Sequence, residues 1–354
     1  MAKSSTVSAA PESPRFRPAR GLRSGFAQSF LASFKLRRQL NERRCPALSR
    51  ASEAHELDAG DGVRLSAHFS RHPQARANVV LLHGWEGCHD SVYLHGLACT
   101  LFDAGYSVLR FNLRDHGGTH HLNPEPFHSA RMEEVFGGLR SAQTLLGGGF
   151  DLIGFSLGGN FTLRVALGAP EQGLKLGQAI AVNPVIDPRK TTQALDAQRL
   201  YLPYFIGKWR KTVAAKHAAW PQGPNYADLL EDRSLLTVSE KFATRYCGFA
   251  SLDDYYAHYT LRPERFAPLA VPTTIISSED DAIIPVEDIR ALEGVSPQLR
   301  IELQPHGGHC GYVQDWRLRS WLEPRLLQQL AQRHPQRAPA QAAADRSDAA
   351  TAAG

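Results

Sequence analysis

Long apolar runs are missing from this chain. Nothing among its 354 residues approaches the ~18 consecutive apolar side chains that cross a bilayer, so a transmembrane anchor is not expected. The N-terminal stretch holds no apolar segment closed by a small-residue cleavage site, and a secretory leader is not expected either. Cysteine is scarce: Cys45, Cys88, Cys99, Cys247 and Cys310 are odd in number and never spaced Cys-x-x-Cys. That fits reduced thiols in a cytoplasmic protein better than a disulfide framework or a cysteine zinc site. No His-Glu-x-x-His or similar spacing is present, so no metal is expected. A basic body is lacking too. The net charge is +5, but residues 1–50 alone carry 11 Lys and Arg against two Glu, which leaves −4 on the remainder. A slightly acidic body is poorly suited to gripping nucleic acid.

What is present is an ordinary globular composition, 43% apolar and 21% charged, in a chain long enough for one large or two modest domains. Its most informative segment runs from Phe150 to Asn160. A short apolar run meets Gly154-Phe155-Ser156-Leu157-Gly158, and helical spacing follows at Phe161, Leu163, Val165, Ala166 and Leu167. A serine on a tight strand-to-helix turn is forced into a strained backbone, and flanking glycines remove the Cβ atoms that would clash there. Such a turn exposes the Ser156 hydroxyl at the end of the sheet, while the Leu157 amide at the helix start faces developing negative charge. The alternative is a glycine-rich turn that merely closes a βα unit.

Around this segment the chain alternates. Strands are predicted over 78–83, 107–113, 151–153, 178–185, 273–277 and 300–304, and helices over 91–102, 133–145, 158–167, 286–292 and 316–332, after a hairpin within 57–68. This predicts an α/β fold, a mostly parallel central sheet with helices on both faces. The core would comprise 57–185 and 269–332. Before it lie a flexible lead over 1–20 and a basic amphipathic arm over 21–56, with Phe26, Phe30, Leu31 and Phe34 at helical spacing. The arm either docks on its own core or lies peripherally on an anionic membrane. The tail over 333–354 reads as disordered. Between the last two groups of strands, residues 186–268 carry 13 of the 31 aromatic residues. An inserted helical lid over an apolar pocket has this composition, as does a small helical unit packing its own core. Tyr255 and Phe249 are the candidate pocket residues.

A serine hydroxyl requires a base, and the base an orienting acid, from loops at the carboxyl ends of the strands. His309, in Gly307-Gly308-His309, follows the last strand; His306 is its competitor. After the preceding strand comes Glu279-Asp280-Asp281, in which Asp281 has Asp-x-x-x-Pro spacing and Asp280 is the alternative. His83, His116, His120, His121 and His128 read as turn or surface residues. Beside the Leu157 amide, an oxyanion would be held by the backbone N–H of Trp85, in His83-Gly84-Trp85-Glu86-Gly87.

The order Ser156, Asp281, His309 is that of the α/β-hydrolases, and the chain resembles their YheT-like branch, AB hydrolase family four. The resemblance is carried by Leu81 to Gly87, Phe111 to Gly118, Phe127-His128-Ser129, the extended elbow Gly154 to Asn160, and Phe249 with Leu252 to Tyr256. It spans roughly residues 17–330. An N-terminal motif at Ser24–Ser29 departs from the family pattern at Phe26 and Ser29, where His and Thr are usual. The resemblance implies a serine hydrolase of carboxylic esters, of acyl or lipid type, with no cofactor. It leaves open acyl transfer to an alcohol. A non-catalytic lipid- or partner-binding role also stays open.

Overall fold

A computed structural model describes residues 14–334, so the expected tail, apart from its first two residues, and the first 13 residues of the lead lie outside the described residues. Three helices, α1 (Gly25–Ala32), α2 (Lys35–Arg44) and α3 (Pro46–Arg50), precede the hairpin of β1 (Ser52–Asp58) and β2 (Arg64–Ser70). The alternation follows as β3 (Asn78–Leu82), α4 (Val92–Asp103), β4 (Ser107–Asn112), α5 (Met132–Leu146), β5 (Phe150–Phe155), α6 (Leu157–Gly168) and β6 (Leu176–Val182). The segment between β6 and the next strand is helical: α7 (Pro188–Asp196), α8 (Tyr201–Ala219), α9 (Ala227–Leu230), α10 (Leu235–Tyr246) and α11 (Leu252–Ala257). The chain closes with β7 (Thr273–Ser278), α12 (Val286–Arg290), β8 (Leu299–Gln304) and α13 (Leu322–Arg333).

The strands form one sheet of eight in the order β1-β2-β4-β3-β5-β6-β7-β8. β1 and β2 run antiparallel to their neighbours, and every other pairing is parallel. Side-chain alternation sorts the near-continuous apolar strands into two cores. Val79 and Leu81, with Ile153, Ile180 and Ile276, pack under α4 and α13. Val80 and Leu82, with Leu152, Ala181 and Ile275, pack against α5, α6 and the helical insertion. A strand covered on both faces has no polar face to show, which is why these runs lack the alternation of an exposed sheet.

Three expectations are corrected. The lead is not flexible up to residue 20: Phe16 is buried against Tyr312 and Trp321, and its amide donates to Gln304. The arm is three short helices rather than one amphipathic helix, and it docks on the core through the buried Leu22, Cys45 and Leu48 together with polar groups. Gln28 is fully buried, its amide nitrogen donating to the carbonyls of Leu22 and Val313 and its oxygen accepting from the Val313 amide. Arg37 and Arg44 reach Glu323 on α13. Phe26 and Phe30, meant as the buried stripe, are exposed. Finally, α13 begins at Leu322 and not near Trp316, because Asp315 accepts from the amides of Arg317 and Arg319 and closes a turn there.

Candidate active site

β5 ends directly on Ser156, whose φ of 54° and ψ of −117° lie in a region side chains rarely adopt. Strain of this kind costs on the order of 1–3 kcal/mol and persists only where the surroundings over-determine it. Here the amide of Ser156 donates to Val182 on β6, and its carbonyl accepts from Asn160 and Val185. Gly158 is required by close approach: a Cβ there would lie 2.4 Å from the His83 carbonyl oxygen. The first turn of α6 can therefore press against the loop after β3.

Loops at the carboxyl ends of the later strands bring the partners. His309 Nε2 lies 2.9 Å from Ser156 Oγ, and His309 Nδ1 lies 2.8 Å from Asp281 Oδ2. An ionised carboxylate only accepts, so Nδ1 carries the proton toward Asp281 and Nε2 is left to accept from the serine hydroxyl. The Asp281 side chain is wholly buried. Its second oxygen accepts from the amides of Ile283 (2.8 Å) and Ile284 (3.1 Å), so both oxygens are engaged. The competing pair separates from this chain: His306 Nδ1 stands 3.6 Å from Asp280 Oδ2. Asp280 instead accepts from the amide of Gly308 at 2.8 Å.

Trp85 lies in the turn after β3 and Leu157 directly follows Ser156 at the start of α6, and both line one cavity. Among the described residues no main-chain carbonyl accepts from the Trp85 amide, which lies in a turn, or from the Leu157 amide, which lies in the open first turn of α6. The Trp85 loop is braced by α8: Thr212 Oγ1 donates to Glu86 Oε2 at 2.6 Å, Lys208 Nζ reaches the Glu86 carbonyl at 3.1 Å, and Phe205 stacks on Trp85. A buried ion pair, Lys216 Nζ to Asp115 Oδ1 at 2.8 Å, fastens the far end of α8 to the loop after β4.

Ser156, Leu157 and His309 open into a cavity of about 760 Å³. Its walls include Trp85, Trp209, Phe242 and Tyr255, and α1 adds Phe26 and Phe30 at the edge. Of the two candidate pocket residues, Tyr255 is in place, its hydroxyl accepting from the Ser129 amide. Phe249 is a correction. It lies behind the wall, packed on Tyr255, His128 and His258, because its amide is tied to the end of α10 through the Ala243 carbonyl.

Two residues bonded to Asp281 or to the His309 backbone were missed. Asn183, just past β6 with φ of 43°, donates to Asp281 Oδ2 (2.8 Å) and to the Gly308 carbonyl (3.2 Å), and accepts from Tyr312. Ser29 on α1 accepts from the His309 amide at 2.7 Å. Ser29 lay within the recognisable Ser24–Ser29 segment; Asn183 had no signal beyond its place at a strand end.

His83 and His116 hold turns in place. His83 donates from Nδ1 to the Gly84 carbonyl and accepts the Leu113 amide at Nε2; His116 bridges Arg114 and Glu86 in the same way. Burial holds His83 well below the ordinary histidine range, lowers His95, and lowers His128, on the cavity wall, to about 3. Burial disfavours the charged form of each in the folded protein, whereas an unfolded histidine binds a proton below about pH 6.5. The unfolded chain therefore holds more protons as pH falls, and each such histidine removes up to ~1.4 kcal/mol of stability per pH unit below 6.5 until its folded value is reached. Urea unfolding should show a lower free energy at pH 5 than at pH 7. An unchanged or higher value at pH 5 would contradict these environments.

A serine on a strand-to-helix elbow, with an aspartate and a histidine hydrogen-bonded in line on successive later loops of a mostly parallel eight-stranded sheet, is the architecture of an α/β hydrolase. The chain belongs to the alpha/beta hydrolase family, whose profile matches residues 79–319. Within it the chain is YheT-like. It is 29% identical over 281 residues to the Escherichia coli protein named "Putative esterase YheT", covering 77% of this chain and 82% of that one. It is 26% identical over 329 residues to "Putative esterase slr0264" of Synechocystis, covering 85% and 88%. The solved esterase Pf2001 of Pyrococcus furiosus shares the fold, with a TM-score of 0.54 at 17% identity over 82% of this chain and 95% of that one. Among the described residues no helix is long and apolar enough to cross a membrane.

Proposed function

We propose that this protein is a serine esterase that cleaves carboxylic esters with an apolar acyl group. Ser156 attacks the ester carbonyl, and His309 takes the hydroxyl proton at Nε2 and returns it to the leaving alcohol. Asp281 holds the imidazole tautomer and the charge that develops on it, and the amides of Trp85 and Leu157 receive the oxyanion. Water then attacks the acyl-enzyme, its proton passing to His309, which returns it to Ser156 Oγ as the acid is released. The observation that carries this reading is the continuous hydrogen-bonded line from Ser156 through His309 to buried Asp281, opening on a largely apolar cavity. The names of the relatives agree with ester hydrolysis. The test is covalent labelling with a fluorophosphonate probe, which requires an activated serine. Labelling confined to Ser156 supports the reading, and a folded protein that does not label refutes it.

The helical insertion acts, in this proposal, as a lid that binds the acyl chain. Burying a methylene contributes ~0.8 kcal/mol, roughly fourfold in kcat/KM, until the space is filled. A cavity of about 760 Å³ falls within the ordinary range for ligand sites. Specificity constants for p-nitrophenyl esters should rise from acetate to a medium chain of about six to ten carbons and then fall. Trp209→Ala, which enlarges the cavity, should move the maximum to longer chains, whereas Phe249→Ala, behind the wall, should leave it in place. A series that falls from acetate onward would remove the acyl-binding role from these aromatics.

A further inference from the structure

The loop that carries His309 is an unusual piece of backbone. Gly308 (φ 53°), Cys310 (φ 60°) and Tyr312 (φ 48°) all sit in the left-handed region, and two of the three are not glycine. Such a loop keeps its shape only where outside groups hold it. Three of its anchors come from neighbouring strand ends: Asp280 accepts from the Gly308 amide, while Ser278 and Asn183 donate to the Gly308 carbonyl. All of these act on residue 308. The anchor on His309 itself comes from the opposite end of the chain. Its amide donates to Ser29 Oγ at 2.7 Å, across 280 residues of sequence.

The Ser29 hydroxyl has one proton, and it is committed to the Gly25 carbonyl at 2.8 Å, which turns the oxygen lone pairs toward His309. α1 cannot easily withdraw. Buried Gln28 ties it to Leu22 and Val313, and Tyr201 of α8 donates to the Phe26 carbonyl. The fit leaves no slack: a Cβ on Gly308 would lie 2.1 Å from the Gly25 carbonyl oxygen and 2.7 Å from Ser29 Oγ. The geometry points to Ser29 as a positioning residue for the catalytic base, and to α1 as an integral part of the active site. Ser29 lines the cavity edge beside His309, and its part here is carried by its bond to the His309 amide. It fixes the backbone from which the imidazole reaches Ser156 Oγ.

This inference rests on the serine-esterase reading, and its test separates the two. Ser29→Thr keeps an oxygen that can accept from the His309 amide, and Ser29→Val has nearly the same shape without it. With p-nitrophenyl acetate as substrate, S29T should stay within about threefold of wild type in kcat. S29V should lose roughly 10²-fold in kcat, the scale of a 1 Å misplacement of a catalytic group, with KM and melting temperature little changed. Its fluorophosphonate labelling rate should fall in parallel. If S29V does not fold, S29A against S29T gives the same comparison. Equal kcat in the oxygen-bearing and oxygen-free variants, alongside an inactive S156A, would overturn the positioning role and leave the esterase reading standing. Undiminished turnover by S156A would overturn both.

Discussion

Ser156→Ala should lower ester turnover by at least about 10⁴-fold while leaving the fold in place, because loss of the nucleophile removes the acyl-enzyme route and leaves only oxyanion and binding contributions. Alanine keeps the Cβ and the same backbone demands as serine. The bonds that hold the elbow are main-chain ones, from the Ser156 amide to Val182 and from Asn160 and Val185 to the Ser156 carbonyl, and the substitution touches none of them. Alanine removes the hydroxyl and with it the hydrogen bond to His309 Nε2. The measurement is kcat/KM on p-nitrophenyl acetate and butyrate, with circular dichroism and a melting curve on the same samples. Turnover within tenfold of wild type in a folded sample would exclude Ser156 as the nucleophile.

The sheet was legible because its central strands are covered on both faces. Apolar runs such as Val79 to Leu82 leave no other reading once helical periods stand between them, and the strands lie within a few residues of the predicted limits. The elbow was legible because strand, glycine, serine, glycine and helix are all local. What could not be read depends on contacts made across the chain. The arm shows four apolar residues at helical spacing, yet Phe26 and Phe30 stay exposed while Gln28, Arg37 and Asn41 are buried beside Leu22, Ala32, Cys45 and Leu48, since part of its seat on the core offers the Val313 carbonyl and Glu323. Ser29 and Asn183 are short polar residues like many others until the fold brings them to His309 and Asp281. Phe249 illustrates the converse. An aromatic beside the cavity in sequence need not face it, and the turn after α10 places Tyr255 on the wall and Phe249 behind it.

Asp281→Asn should be far more damaging than Asp280→Asn, although the two carboxylates are adjacent. Asp281 uses both oxygens as acceptors: His309 Nδ1 and Asn183 Nδ2 share one, and the amides of Ile283 and Ile284 share the other. An asparagine must turn its NH₂ toward one of these donor pairs. Facing the two amides it opposes N–H with N–H; facing His309 it drives the proton to Nε2, where the ring can no longer accept from Ser156. The wrong tautomer in a Ser-His-Asp triad costs about 10⁴ in kcat. Asp280 has a lighter duty. One oxygen accepts from the Gly308 amide, a bond that an asparagine carbonyl can still make, and the other lies 3.6 Å from His306 with no hydrogen bond. D280N should therefore lose at most about tenfold, through slight loosening of the histidine loop, well short of the wrong-tautomer penalty. Steady-state kcat for both variants on the same short ester decides the matter. A larger loss at Asp280 would move the orienting acid by one residue and would mean that the bond between His309 and Asp281 is not the one used in turnover.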